Sequence, residues 1–183
     1  MQIVNMILNR MSNISKHQHR FIIILLKTLM LLRGKANFRN LSRYSGLCEK
    51  TYSRQYRKSF DFVEFNRQAI SLIIPETHVQ IAAVDCTFSN KSGKHTYGLD
   101  KFYNSIQGKA VKGLELSTLS VVDVDYNTAY NLSTRQTPVI DKKDKTRIDC
   151  YLDHLKDDRH ALPSMVRYLV HDGYYQKKKF VDG

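Results

Sequence analysis

The alternation of apolar and polar positions changes texture once along the chain. Through the first 75 residues the apolar positions follow helical spacing. Phe21 to Leu32 (FIIILLKTLMLL) is a 12-residue apolar run broken only by Lys27 and Thr28. In NFRNLSRYSGLCEKTYSRQYRKSF, Leu41, Tyr44, Leu47, Tyr52 and Tyr56 recur at intervals of three to five with Gly46 interrupting them, which predicts a helix, a turn and a second helix. Past Pro75 the apolar runs shorten. VQIAAVD is almost wholly apolar and ends in an acid, as expected of a central strand buried on both faces. GLELSTLSVVDVD and TAYNLSTRQTP flank the polar turn Asp125-Tyr126-Asn127 and predict an antiparallel hairpin. Thr146 and Asp149 have capping-box spacing, and Ile148, Tyr151, Leu152 and Leu155 then form one helical stripe that reads as core contact. After Pro163, Met165 to His171 is a second apolar strand ending in an acid. Strand, hairpin, helix, strand is an α/β order with at least one right-handed crossover. The expected organisation is a helical region over 1–75 and an α/β region over 76–183.

Charge adds a partner class to this outline. Residues 1–75 hold 13 Lys and Arg against 3 Asp and Glu, while the remainder holds 16 against 14. A positive field concentrated in one half favours a polyanion, nucleic acid foremost. Within the second helix of the pair, Lys50, Arg54, Arg57 and Lys58 offer a basic face beside Thr51, Ser53 and Gln55, side-chain types that reach phosphates and base edges in a major groove. Cys48, Cys86 and Cys150 are far apart and odd in number, which argues against a disulfide framework and for a reducing, cytoplasmic setting. Phe21 to Leu32 falls short of the roughly 20 residues a membrane span needs, and no signal-peptide cleavage pattern follows it. A buried helix is expected there, and no membrane.

The chemistry rests on two aspartates. The runs Val79 to Val84 and Val166 to His171 each deliver an acid at the C-terminal end, Asp85 and Asp172. If the two strands are parallel neighbours, the carboxylates converge at the sheet edge where α/β folds place ligand sites. Converging carboxylates repel unless a cation lies between them, and hard oxygen ligands suit Mg²⁺ or Mn²⁺.

On the stretches AVDCTFSNKSGKHTYGLDKFYNSIQGKAVKGLELSTLSVVDVD and YLVHDGYYQKKKFVD, the chain resembles the catalytic core of bacterial insertion-sequence transposases of the DDE superfamily. The resemblance implies a ribonuclease H-like mixed sheet over roughly Ala82 to Asp182, preceded by a small all-helical DNA-binding region. It implies Asp85 and Asp172 as the first two catalytic, metal-binding acids of a two-metal site. It also implies metal-dependent cleavage of transposon ends in double-stranded DNA, with strand transfer into target DNA, in a nucleoid-associated protein. The basic stretch Ser89 to Gly113, with Lys91 and Lys94 near its start and Lys101, Lys109 and Lys112 after them, is a candidate contact to the DNA backbone. The glutamate that the family carries on a helix after a fifth strand has no counterpart, since Glu115 and Asp182 fall in other elements. The expectation is therefore an incomplete, C-terminally truncated and inactive sheet, prone to self-association or to pairing with an intact transposase. A non-catalytic protein that occupies transposon ends or inhibits an intact transposase is the alternative.

Three further constellations read as ordinary structure. Cys150 and His154 are half of a zinc pattern with no second half, His17 and His19 sit in a solvated basic stretch, and no Arg/His cluster gathers round a nucleophilic tyrosine.

Overall fold

Five helices open the chain: α1 (Gln2–Arg10), α2 (Lys16–Leu31), α3 (Phe38–Arg43), α4 (Glu49–Gln55) and α5 (Phe62–Ile73). A computed structural model describes residues 2–140 and 145–183. The chain divides into two compact units, Met1–Ala69 and Ile70–Gly183, with the division inside α5.

In the first unit the helix starts are set by short polar side chains. Ser15 Oγ accepts from the Gln18 N–H at 3.2 Å and Asn37 Oδ1 from the Asn40 N–H at 2.8 Å, each satisfying a donor that the first helical turn leaves unpaired. Ile7, Leu8, Met11, Phe21, Ile22, Leu25, Leu41 and Tyr52 form its core. The apolar run of α2 is therefore a core helix, and among the described residues no helix is long and apolar enough to cross a membrane. Tyr52 packs edge-on to Phe21 with ring centroids 5.6 Å apart, and its hydroxyl donates to Ser45 Oγ at 2.7 Å. That bond ties α4 to the turn before it, so the expected helix–turn–helix is present as α3, a turn through Gly46, and α4.

The second unit is built on a mixed sheet of β1 (Gln80–Ser89), β2 (Asp100–Asn104), β3 (Lys109–Asp123), β4 (Thr128–Gln136) and β5 (Leu169–His171), with helices α6 (Arg147–Asp158) and α7 (Lys178–Val181). The order is β2-β3-β1-β5, with β4 also paired to β3. β1/β3, β2/β3 and β3/β4 are antiparallel and β1/β5 is parallel. β3 and β4 form the expected hairpin, where Asn127 takes the left-handed conformation (φ 49°) that asparagine tolerates best among non-glycine residues. The capping box of α6 is present, Thr146 and Asp149 each bonding the other's backbone N–H. The α6 stripe buries Ile148, Tyr151 and Leu152 with Val84, Tyr175 and Phe180.

Three strand expectations need correction. β1 runs on to Ser89, so Asp85 lies within the strand and not at its end. The ladder to β3 continues to the Ser89–Leu114 pair, which holds the backbone extended past the acid. β1 is also not buried on both faces: Gln80, Ala82 and Val84 are covered while Ile81 and Ala83 are half-covered, the alternation of a sheet with one well-packed face. β5 is only three residues long and half-open, with Val170 50% exposed.

The basic stretch between the first strand and the hairpin is not simply a loop, because β2 pairs with Lys109–Gly113 of β3. At Gly113 it is the approach of β1 that requires glycine: a Cβ there would lie 2.4 Å from Phe88 Cε2 and 2.7 Å from the Ser89 carbonyl oxygen.

Candidate functional site

The parallel pairing of β1 with β5 runs Ala82–Leu169, Ala83–Val170 and Val84–His171. The ladder ends one residue short of both acids: Asp172 follows the last paired residue of β5, and Asp85 follows its partner Val84 within β1. Both side chains are exposed. Asp85 Oδ1 accepts from the Cys86 N–H at 2.7 Å. Asp172 caps the 3-10 turn Gly173–Tyr175, accepting from the Tyr174 N–H at 3.0 Å. Each carboxylate thus has an oxygen fixed by backbone and another open to solvent or a ligand.

Beneath the pair, the Tyr175 hydroxyl donates to Cys86 Sγ at 2.9 Å. Burial, then that hydrogen bond, holds the Tyr175 hydroxyl well above the ordinary tyrosine range, and the charges of Asp85 and Asp172 push the same way. Burial pushes the Cys86 thiol up to about 11, against the opposing effect of the Tyr175 bond. Neither side chain is a nucleophile; Cys86 follows Asp85 on β1 and so faces the core side of the sheet with Val84 and Tyr175, opposite to Asp85. Tyr174, half-exposed, has the Lys177 ammonium 4.8 Å above its ring centroid.

Among the described residues no third His, Cys, Asp or Glu closes on Asp85 and Asp172. Glu115 is buried on β3, where its Oε1 accepts from the Tyr151 hydroxyl at 2.6 Å. His154 is equally committed. Its Nδ1 is 2.8 Å from Ser117 Oγ and its Nε2 2.9 Å from Ser133 Oγ, and Ser133 in turn donates to Asp158. With the Ser133 proton given to Asp158, Nε2 is the donor and Nδ1 the acceptor, a neutral tautomer. Burial accordingly lowers the His154 pKa, outweighing the nearby Asp158 charge. The Cys150–His154 spacing therefore reflects a core helix face.

In the first unit the four basic residues expected on one helical face are divided. α4 ends at Gln55, so Arg57 and Lys58 follow the helix. Arg54 and Lys58 line a concavity of about 570 Å³ with His17 and Arg20 of α2. Lys50 lines a second one of about 410 Å³ with Arg39 and Arg43 of α3. His17 and Arg20 read in the sequence as a solvated basic stretch, and Arg39 and Arg43 carry no motif; only folding brings them to α4.

In the second unit Lys91 and Lys94 are exposed in irregular chain before β2. The hairpin after them places exposed Lys101 directly opposite exposed Lys112, with no carboxylate paired to either among the described residues. Tyr103 and Ile106 of the same hairpin are 62% and 95% exposed. Neither a protein-family model nor a curated protein matches the chain.

Proposed function

We propose that the chain is a DNA transposase of the DDE kind, whose α/β unit is ribonuclease H-like and uses Asp85 and Asp172 as two of its metal-holding acids. The observation that carries the reading is the parallel pairing of β1 with β5, which ends at the residues just before Asp85 and Asp172. The fit to Mg²⁺ or Mn²⁺ is that of an open site. Such ions are commonly held by one or two carboxylates together with substrate phosphate oxygens, and the pair offers two exposed carboxylates with room for the rest. When bound, the ion supplies charge that activates an attacking hydroxyl and stabilises the departing oxygen at a phosphodiester. Asp85 and Asp172 act as its holders, the Cys86 and Tyr174 N–H groups aim them, and the Cys86–Tyr175 contact keeps their strands together.

Double-stranded DNA is the partner this reading requires. Support comes from the two basic concavities around α4 and from Lys101 facing Lys112. Like charges directly opposite on a sheet destabilise it, a cost that a polyanion lying across them would offset.

The absence of a third acid near the pair among the described residues favours a second reading, a DNA-binding protein that occupies transposon ends without cutting them. Iron-directed backbone cleavage separates the two. Fe²⁺ with ascorbate and peroxide should cut the wild-type chain near residues 85 and 172, and Asp85→Asn with Asp172→Asn should abolish the cuts while leaving the gel shift of duplex DNA unchanged. DNA binding with no cuts at either position selects the second reading. A chain that shifts no duplex DNA at low salt overturns both.

A further inference from the structure

At the end of β1 remote from Asp85, three side chains close on one point. His78 precedes the strand, and Asp123 and Asp125 stand where β3 turns toward β4. A ligand atom from each lies within 4.8 Å of the other two. His78 Nδ1 is 3.1 and 3.0 Å from the two oxygens of Asp123, which is wholly buried.

Both carboxylates are held by backbone. The Asp125 and Tyr126 N–H groups donate to Asp123 Oδ1 at 3.1 and 3.2 Å, and the Val79 N–H donates to Asp125 Oδ2 at 2.7 Å. Asp123 Oδ2 is left with His78 alone, and Asp125 Oδ1 has no hydrogen bond among the described residues. Backbone bonds of this kind orient carboxylates that bind a metal through their other lone pairs.

A second observation is independent of the acids. Gln80 is 7% exposed, and its Oε1 is buried with no hydrogen-bond partner. Gln80 stands directly opposite Asp123 in the β1/β3 register, so the two side chains share a face with Cβ atoms about 5 Å apart. A buried acceptor without a donor thus stands on the same sheet face as Asp123, whose ionisable partner among the described residues is His78.

We propose that His78, Asp123 and Asp125, with the Gln80 amide oxygen, bind a divalent transition-metal ion as a structural clamp. One imidazole nitrogen with three oxygens suits Zn²⁺ or Mn²⁺, where an all-oxygen set would suit Mg²⁺ or Ca²⁺. A tetrahedral Zn²⁺ bound at about 2.0–2.2 Å sets its donor atoms roughly 3.3 Å apart, so an ion held by His78 Nδ1 and Asp123 would take the place of the proton in the hydrogen bond they share at 3.0 Å. Gln80 and Asp85 are five residues apart on β1, about 17 Å at strand rise, so the clamp is separate from the acid pair. It joins the entry of β1 to the β3–β4 turn.

The test uses the full chain stripped with EDTA and titrated with ZnCl₂ and, separately, MnCl₂, following heat of binding and melting temperature. One equivalent of one of these ions should bind and raise the melting temperature. Asp125→Asn, an exposed position whose amide oxygen still accepts from Val79, should weaken binding at least tenfold, and Asp85→Asn with Asp172→Asn should leave it unchanged. Should the variant fail to fold, Mn²⁺ bound to wild type must show a histidine-nitrogen coupling by electron spin echo. No saturable binding of either ion below about 1 mM, binding indifferent to Asp125→Asn, or binding lost with the Asp85 and Asp172 changes overturns the proposal. In the first of these cases the cluster is a hydrogen-bonded turn and nothing more.

Discussion

The Tyr175 hydroxyl donates to Cys86 Sγ across 2.9 Å, joining the residue after Asp85 to the third residue after Asp172. It is a contact between side chains 89 residues apart in sequence, and it joins β1, which carries Asp85, to the 3-10 turn that Asp172 caps. β5 has only three paired residues, so that edge also depends on the packing of Leu169 and Tyr175 against α6 and Phe180. Tyr175→Phe keeps the ring and its packing on Tyr151 and Phe180 but removes the donor. The expected cost is about 0.5–1.5 kcal/mol, the ordinary net value of one hydrogen bond, read as a lower urea midpoint with an unchanged m-value. An unchanged midpoint would mean that ring packing alone fixes the turn after Asp172.

The three thiols should react in a fixed order. Cys48 is exposed, and its pKa is lowered chiefly by the Thr51 hydroxyl. Cys150 is raised by burial, and Cys86 most of all, to about 11. At pH 8 a thiol of that pKa is ionised in roughly one molecule per thousand, and the thiolate is the reactive form. A disulfide-exchange reagent should therefore modify Cys48 first and Cys86 only on unfolding. Labelling of native protein followed by peptide mapping checks this, and early modification of Cys86 would show that β5 opens readily.

Asp85 and Asp172 show why much of this site was legible in the sequence. A strand announces itself by an unbroken apolar run, and the residue closing that run is marked by its change of character, so both acids could be picked out by position. Their pairing was stated as a condition, because no local pattern says which strands are neighbours. That condition is met in the β1/β5 register. The limits were also physical. β2 was hidden because Lys, Tyr and Asn on a short exposed ribbon look like loop. His78 and Asp123 escaped notice because 45 positions separate them and neither belongs to a motif. Arg57 and Lys58 were assigned to α4 because basic residues carry no stop signal, whereas the helix ends at Gln55.

His154 gives the second unit a pH dependence with a definite sign. Burial lowers its pKa, so the unfolded chain takes up a proton near the ordinary histidine value of about 6.5 while the folded chain does not. Stability from this group is fully present above about pH 6.5 and is lost as pH falls from there toward the folded pKa, with a slope of at most about 1.4 kcal/mol per pH unit. Asp158 and Asp157 favour the charged form and Arg135 opposes it, so the slope should fall short of that limit. His154→Gln can still accept from Ser117 and donate to Ser133 but cannot titrate. Melting curves at pH 5 to 8 should show a smaller loss toward acid for the variant. Parallel curves would place the acid sensitivity elsewhere.

Lys101 and Lys112 make the sharpest test of DNA contact because two measurements should move in opposite directions. The two lysines stand directly opposite on the β2/β3 ribbon, whereas Arg147, 4.4 Å over the neighbouring Phe102 ring, is ion-paired to Asp100 at 3.6 Å. Lys112→Gln removes one member of the like-charged pair and should raise stability slightly, by about 0.2–1 kcal/mol. If the ribbon touches the DNA backbone, the same change should weaken duplex binding and reduce the magnitude of the log Kd against log[salt] slope by about 0.9 for one lost phosphate contact. A variant that is more stable and binds DNA with an unaltered slope would confine DNA contact to other basic residues, such as those of the α4 concavities. A variant that is less stable would show that the Lys112 stem packs on the sheet, and that its position opposite Lys101 gives no argument for a polyanion.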